Sequence, residues 1–391
     1  MRVLLIHRFS HHERYFRALA AQSALAMQPF AERDLPRLSL RDLACLLRAD
    51  VWNLARTHID RLTHGRHNRW RVLRPLRRAL HSVQAALAYA RFHRAFSARR
   101  PDAIAVWNGG HWFFQAAIRA ARAFAIPVLR FENGLLPSTT TCDPRGVNFH
   151  NSVPCEAAFY HALPEMPEVT RTALVPRLPA TARAGSPVEL PPRYLFVPLQ
   201  VDRDTQIVLN SPWIRDMAHL LEVLEALLGH IADRELAIVV KEHPSCTTSY
   251  AAWHDRADPR LLFANANVTQ ELIDGAEAVI TVNSTVGIEA LLRARRVIVI
   301  GNAFYAIDGL TLRAGDEDAL VAAVDALARW QPDHRLRRQF LGWLDSVYCI
   351  PGSWQAPDAL HCRRVDERIR NVVAGSSLSA SASASASAST S

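Results

Sequence analysis

Lysine is nearly missing from this chain: Lys241 stands alone against forty-five arginines, which singles out that position before any motif is considered. Cysteine is sparse and unpatterned. The six residues at 45, 142, 155, 246, 349 and 362 form no Cys-x-x-Cys pair and no zinc-ligand spacing. That excludes a zinc ribbon or a disulfide scaffold and leaves reduced thiols, as in a cytoplasmic protein, as the expectation. No stretch reaches the roughly 18 consecutive apolar residues that a membrane-spanning helix requires. The opening run Met1–His7 is too short for a signal-peptide core and reads as a first strand. A recognisable nucleic-acid-binding motif is also missing, so no nucleic-acid partner is expected.

What is present is enough apolar material for two cores: 49% of the 391 residues are hydrophobic, and this length exceeds what one core usually serves. The runs 193–200, 235–240 and 278–283 are nearly continuously apolar and flanked by helical patterns, as in parallel strands buried on both faces. Further strands are expected at 102–107 and 126–131, with a helix through Phe114 and Ile118 between them. Helical periodicity covers 40–62 and 70–96. From Trp213 onward Met217, Leu220, Leu221, Leu224, Leu227 and Leu228 form one stripe, the pattern of a helix covering a sheet.

The stretch 163–192 is rich in Pro, Ala and Thr with little periodicity and marks an interdomain connection. The expected fold class is therefore α/β, with two Rossmann-like domains facing a cleft in the manner of the B-type glycosyltransferase fold and an extra helical region in the first domain. The boundaries expected are 1–185 for the N-terminal domain, 186–375 for the C-terminal nucleotide-binding domain, and 376–391 for a disordered Ser/Ala tail.

Charge is unevenly spread. The whole chain carries +9, yet residues 35–100 hold fifteen arginines against three aspartates, a local balance of +12. Two readings follow: attraction of this segment to anionic lipid headgroups or an anionic acceptor, or ordinary solvated helix faces.

Ligands of open parallel sheets bind beyond the carboxyl ends of the strands, and four polar motifs fall there. Phe131-Glu132-Asn133-Gly134 puts a carboxylate at a strand tip, suited to acid/base work or simply part of a turn. Gln200-Val201-Asp202-Arg203-Asp204-Thr205-Gln206-Ile207 offers either a metal-binding Asp-x-Asp pair or one aspartate as nucleophile or base. Lys241-Glu242-His243-Pro244-Ser245 places a histidine where it can hydrogen-bond or protonate a phosphate. Asn283-Ser284-Thr285-Val286-Gly287-Ile288-Glu289-Ala290-Leu291 opens a helix. In it Ser284 and Thr285 can cap, Gly287 can permit close backbone approach to a ligand, and Glu289 can receive ribose hydroxyls.

In this order and spacing the four motifs resemble the capsule polysaccharide biosynthesis family, whose characterised members are retaining β-Kdo transferases that use CMP-β-Kdo, Kdo being 3-deoxy-D-manno-octulosonic acid. The likeness spans about 108–300 and includes Gly146-Val147-Asn148, similar to a short motif that follows the first carboxylate. The resemblance implies Asp204, not Asp202, as nucleophile and Glu132 as general acid/base. It implies a CMP side built from Gln200, Lys241, His243, Pro244, Asn283, Ser284, Thr285, Gly287 and Glu289. No metal or cofactor is implied beyond the CMP-Kdo donor, and the acceptor would be a glycan or lipid-linked glycan of a capsule or lipopolysaccharide pathway. The implied location is cytoplasmic, with peripheral contact to the inner membrane through the arginine-rich segment as an added expectation. Asn133 stands where some relatives carry an acid, which leaves Glu132 as that motif's only carboxylate. Three other readings stay open: a metal-dependent glycosyltransferase, a UDP-sugar enzyme of the same fold, and an inactive membrane-associated scaffold.

Overall fold

The structure, a computed structural model, describes residues 1–48, 50, 51, 53–64, 72–174, 185–231, 233–246, 248–250, 253 and 258–388, those from 376 onward by backbone alone. Among these residues it contains two six-stranded sheets. The first is built from β1 (Arg2–Ile6), β2 (Ala26–Phe30), β3 (Ala103–Trp107), β4 (Val128–Asn133) and β5 (Thr139–Asp143), with β12 (Ile350–Pro351) at one edge. Its order is β12-β5-β4-β3-β1-β2. The four strands from β2 to β4 run parallel, with Val3 opposite both Met27 and Ala103 and Ile104 opposite Val128. β5 returns antiparallel to β4 through a tight hairpin. Gly134 is required there, because a Cβ would lie 1.9 Å from Thr139 Oγ1.

The second sheet contains β6 (Tyr194–Pro198), β7 (Ala237–Lys241), β8 (Leu261–Phe263), β9 (Ala278–Thr281), β10 (Arg296–Val299) and β11 (Leu312–Arg313). It is parallel throughout, in the order β11-β10-β9-β6-β7-β8. Counted within the domain this is the doubly wound order 3-2-1-4-5-6, whose strand order reverses between β6 and β9. Core residues alternate to the two faces of the sheet: Leu195 and Val197 point into one cluster, Phe196 and Val239 into the other. The helix Met217–His230 covers one face with Leu220, Leu221, Leu224, Leu227 and Leu228, all buried. Each such leucine contributes about 1.5–3 kcal/mol on burial. That helix begins at Met217 rather than Trp213, where the Asp216 carboxylate accepts the His219 amide at 2.8 Å. The first-domain helices are Ser10–Gln22, Arg56–Thr63, Arg74–Arg99 and Trp112–Ala123.

Two of the expected boundaries are corrected. Residues beyond 150 already belong to the second domain: Val153, Tyr160 and Val169 enter its core cluster, with the Tyr160 and Phe340 ring centroids 5.4 Å apart. The Gln339 side chain accepts from the Met166 amide at 2.8 Å and donates to the Pro164 carbonyl at 2.8 Å. Among the described residues of this connection, Val169 is buried and Leu163, Leu174 and Leu190 pack against that core, whatever their lack of period. The expected boundary at 185 adjoins residues 175–184, which lie outside the described residues.

At the other end, residues from about 350 return to the first domain. Ile350 pairs with Thr140, and Cys362, Val365 and Ile369 of the last helix pack against Val3 and Leu5. Asp366 fixes that return by accepting from Ser23 Oγ at 2.6 Å and the Ala24 amide at 2.8 Å. The last helix runs Ala359–Ala388 and takes in most of the Ser/Ala repeat, where the sequence suggested disorder. Alanine is the strongest helix former, so a helix already nucleated on Cys362, Val365 and Ile369 extends through it.

Candidate active site

The two sheets face a cleft of about 550 Å³ lined by residues of both domains. The second-domain wall sits at the strand-order reversal, and two amides bridge it. Gln200, following β6, donates from Nε2 to Asn283 Oδ1 at 3.0 Å and accepts the Asn283 amide through Oε1 at 3.3 Å. Asn283, following β9, also donates to the carbonyls of Gln206 and Asn210 at 3.1 and 3.0 Å. Both side chains are buried, so this clamp fixes the turn that presents Asp204. Asp204 is the N-cap of the short helix Thr205–Asn210. Its Oδ1 accepts from the Gln206 amide at 2.9 Å and from Thr205 Oγ1 at 3.2 Å.

Asp202 behaves differently and is not among the residues that line the cleft. Its Oδ1 accepts the Met217 amide at 2.8 Å and its Oδ2 the Thr248 hydroxyl at 3.3 Å. Burial holds its carboxyl above the usual carboxylate range. The Asp-x-Asp pair therefore divides into one cleft residue and one brace for the next helix, and does not converge as a shared ligand set.

Glu132 enters the cleft from the opposite wall, at the tip of β4. Asn108 Nδ2 donates to its Oε2 at 2.6 Å and the Asn133 amide to its Oε1 at 2.9 Å. Burial raises the Glu132 pKa and the Asp204 charge pushes the same way, against the pull of those two hydrogen bonds. Asn108 went unassigned in the sequence. It follows β3 at a positive φ of 58°, and its Oδ1 accepts the Gly110 amide at 3.1 Å. The Asn-Gly-Gly run at a strand tip was the available signal.

Lys241 and His243 line the cleft after β7. The buried Lys241 ammonium donates to the Asn267 carbonyl, and desolvation lowers its pKa. His243 Nδ1 accepts the Ser245 amide at 3.1 Å, which places the ring proton of neutral His243 on Nε2. Pro244, Ser284 and Thr285 also line the cleft. Ser284 Oγ accepts the Val286 amide at 3.2 Å, whereas the Thr285 side chain makes no cap bond.

Two predicted residues lie outside the lining. A Cβ on Gly287 would meet Tyr305 Oη at 2.6 Å and Cε2 at 2.7 Å, so this glycine permits the close approach of a buried ring of the same domain. Glu289, half-buried one turn into that helix, also falls outside it.

The Gly146-Val147-Asn148 segment is organised by Asp143, a residue without a sequence signal. This fully buried carboxylate accepts from the amides of Arg145, Gly146 and Ser152 at 2.6–2.9 Å and from Tyr348 Oη at 2.9 Å. The turn it holds brings Asn148 into the cleft. Gln206, Glu242, Thr269 and Gln355 are further polar wall positions to which the sequence assigned no role. Next to Gln355, Trp354 Nε1 donates to Asn133 Oδ1 at 2.7 Å.

Two Rossmann-like domains that meet across a cleft, with Glu132 from the first and Asp204 and Glu242 from the second among its lining carboxylates, define a protein of the B-type glycosyltransferase architecture. The chain belongs to the capsule polysaccharide biosynthesis family, whose model, described as capsule polysaccharide biosynthesis protein, matches residues 179–333. It is 38% identical over 278 residues to protein FixF of Sinorhizobium fredii, spanning 69% of this chain and 67% of the relative. It is 27% identical over 297 residues to the capsule polysaccharide export protein KpsS of Escherichia coli, spanning 58% of this chain and 72% of the relative. Among solved structures it is similar to Thermosulfurimonas dismutans KpsC, a beta Kdo 2,7 transferase, at 16% identity and TM-score 0.45, covering 88% of this chain and 89% of that one. No helix among the described residues is long and apolar enough to cross a membrane.

Proposed function

We propose that the chain is a retaining glycosyltransferase that moves Kdo from CMP-β-Kdo to a glycan or lipid-linked glycan acceptor. The observation that carries this reading is the pairing in one cleft of Glu132, from the first domain, with Asp204, from the second. Asp204 Oδ2 attacks the anomeric carbon of Kdo, and the bond from that carbon to the phosphate oxygen breaks with its electron pair leaving on CMP. Glu132 then takes the proton of the acceptor hydroxyl, whose oxygen attacks the same carbon and releases the Asp204 carboxylate. Two inversions at one carbon give retention.

The hydrogen bonds to Asp204 Oδ1 and the Gln200–Asn283 clamp hold the nucleophile in one rotamer, which is the arrangement an in-line attack needs. Nε2–H of His243 suits the departing monophosphate, and the cleft-facing Lys241, Ser284 and Thr285 supply further donors on that side. A monophosphate leaving group carries less charge than a diphosphate, and Asp202 is held away by Met217 and Thr248. The reading therefore needs no Asp-x-Asp metal. Calorimetry with CMP in the presence of a chelator tests the donor side. Binding should persist and weaken by roughly tenfold in His243→Ala, the scale of one charge-assisted hydrogen bond. Strict dependence on magnesium, or equal affinity for UDP, would favour the other two enzyme readings.

A further inference from the structure

The helix Arg74–Arg99 has two apolar faces and buries one. Ala85, Tyr89, Phe92 and Phe96 pack into the first-domain core. On the opposite side Leu73, Leu76, Leu80, Val83 and Leu87 succeed one another at steps of three and four residues, the spacing of a single stripe. These five side chains are between 42% and 69% exposed. A helix apolar on both sides is normally buried on both, and an apolar face left in water marks an interaction site.

Charge identifies the occupant. The helix contains six arginines and no carboxylate. Several of them have internal work: Arg74 pairs with Asp60 at 2.6 Å, Arg94 with Asp42 at 2.9 Å, and Arg91 donates to the Leu35 carbonyl at 3.0 Å. Simple electrostatic adsorption by the whole arginine-rich segment is thereby weakened, and the apolar stripe becomes the principal feature. Two copies of this helix laid face to face would oppose arginines to arginines, a like-charge arrangement that disfavours self-association. An anionic bilayer surface satisfies both components, with acyl chains for the leucines and headgroup phosphates for the exposed guanidinium groups.

We propose that this outward face seats the protein on an anionic membrane surface, the Leu/Val stripe entering the headgroup boundary. The position fits such a role. The His81 ring on this helix lies 5.1 Å from His58, and His58 lies 4.5 Å from His111, three residues beyond the Asn108 that holds Glu132. The neighbouring helix reaches the second domain through Arg61, which donates to the Arg203 carbonyl at 2.9 Å. The seated helix thus packs beside the segment that follows Asn108, on the first-domain side of the cleft, from which a lipid-linked molecule would arrive. The inference does not depend on the identity of the sugar donor.

Cosedimentation of the full chain with phosphatidylcholine vesicles, with and without phosphatidylglycerol, provides the test. The protein should bind the anionic vesicles, and Leu76→Gln/Leu80→Gln should lower that binding roughly tenfold or more with an unchanged melting curve, because two stripe side chains no longer partition. If the double variant unfolds, Leu76→Gln alone, at a position 69% exposed, should still lower binding severalfold. The proposal is overturned if the wild type ignores anionic vesicles, or if a folded stripe variant binds them equally well. It is also overturned if sedimentation shows a dimer that the stripe variants dissociate while vesicle binding is unaffected.

Discussion

Replacing Gly287 with alanine separates two roles for this glycine, packing against Tyr305 and admission of a ligand. Gly287 lies inside the helix Val286–Leu292, where alanine would ordinarily gain about 0.8–1 kcal/mol over glycine. Against that, the added Cβ would stand 2.6–2.8 Å from three atoms of the Tyr305 side chain, well inside contact distance. Tyr305 is 1% exposed and its hydroxyl donates to the Ser284 carbonyl, so the ring has little freedom to retreat. Overpacking costs about 1–3 kcal/mol; with three contacts below 3.0 Å the upper half of that range, about 2–3 kcal/mol, applies and leaves a net loss of roughly 1–2 kcal/mol after the helical gain. At about 2–4 °C per kcal/mol for domains of this size, the melting temperature should fall by roughly 2–8 °C. Circular dichroism melts of Gly287→Ala, Tyr305→Phe and the double variant supply the assay. Tyr305→Phe removes the nearest atom, so the double variant should lose less than the two single losses added, by about 0.5 kcal/mol or more. A Gly287→Ala protein that melts with the wild type but no longer binds CMP would refute the packing argument and restore the ligand role.

Under the proposed mechanism the raised pKa of Glu132 sets the acid limb of the reaction. A base must be ionised, so kcat should fall on the acid side with a midpoint above the ordinary carboxylate range, and Glu132→Gln should abolish that limb together with most transfer. Asn108→Ala removes a hydrogen bond that favours the ionised form, so a pH–rate profile should show the limb displaced further upward while CMP affinity stays the same. Asp202→Ala should lower stability by about 1 kcal/mol, the scale of a lost helix-terminal bond to Met217. In the same variant, chelator-resistant CMP binding should remain, whereas a metal ligand would show itself by its loss.

Much of this architecture is visible in the residues themselves. Strands such as Tyr194–Pro198 and Ala237–Lys241 are apolar at every position but their ends because both faces are covered, and polar residues just past them had to face the cleft. That logic located Glu132, Gln200, Asp204, His243, Asn283 and Ser284. It could not separate Asp202 from Asp204, since the distinction depends on which way a turn points each carboxylate, and that is set by the Met217 amide fifteen residues away. The packing role of Gly287 is hidden for a related reason: only tertiary packing brings Tyr305 against it. The strand Ile350–Pro351 is two residues long and has no period to detect, so the return of the C-terminal helix to the first domain was not legible. Asp143 likewise declares its role only through the separate amides and the tyrosine that converge on it.

In the proposed mechanism Asp204 bonds to the sugar while Glu132 serves the acceptor. Glu132→Gln incubated with CMP-Kdo and no acceptor should release CMP and accumulate protein heavier by one Kdo residue. Mass spectrometry of its peptides should place the adduct on Asp204. Asp204→Ala should form no adduct and transfer nothing, yet keep its affinity for CMP. An adduct on Asp202, substantial transfer by Asp204→Ala, or a product of inverted anomeric configuration would contradict the mechanism.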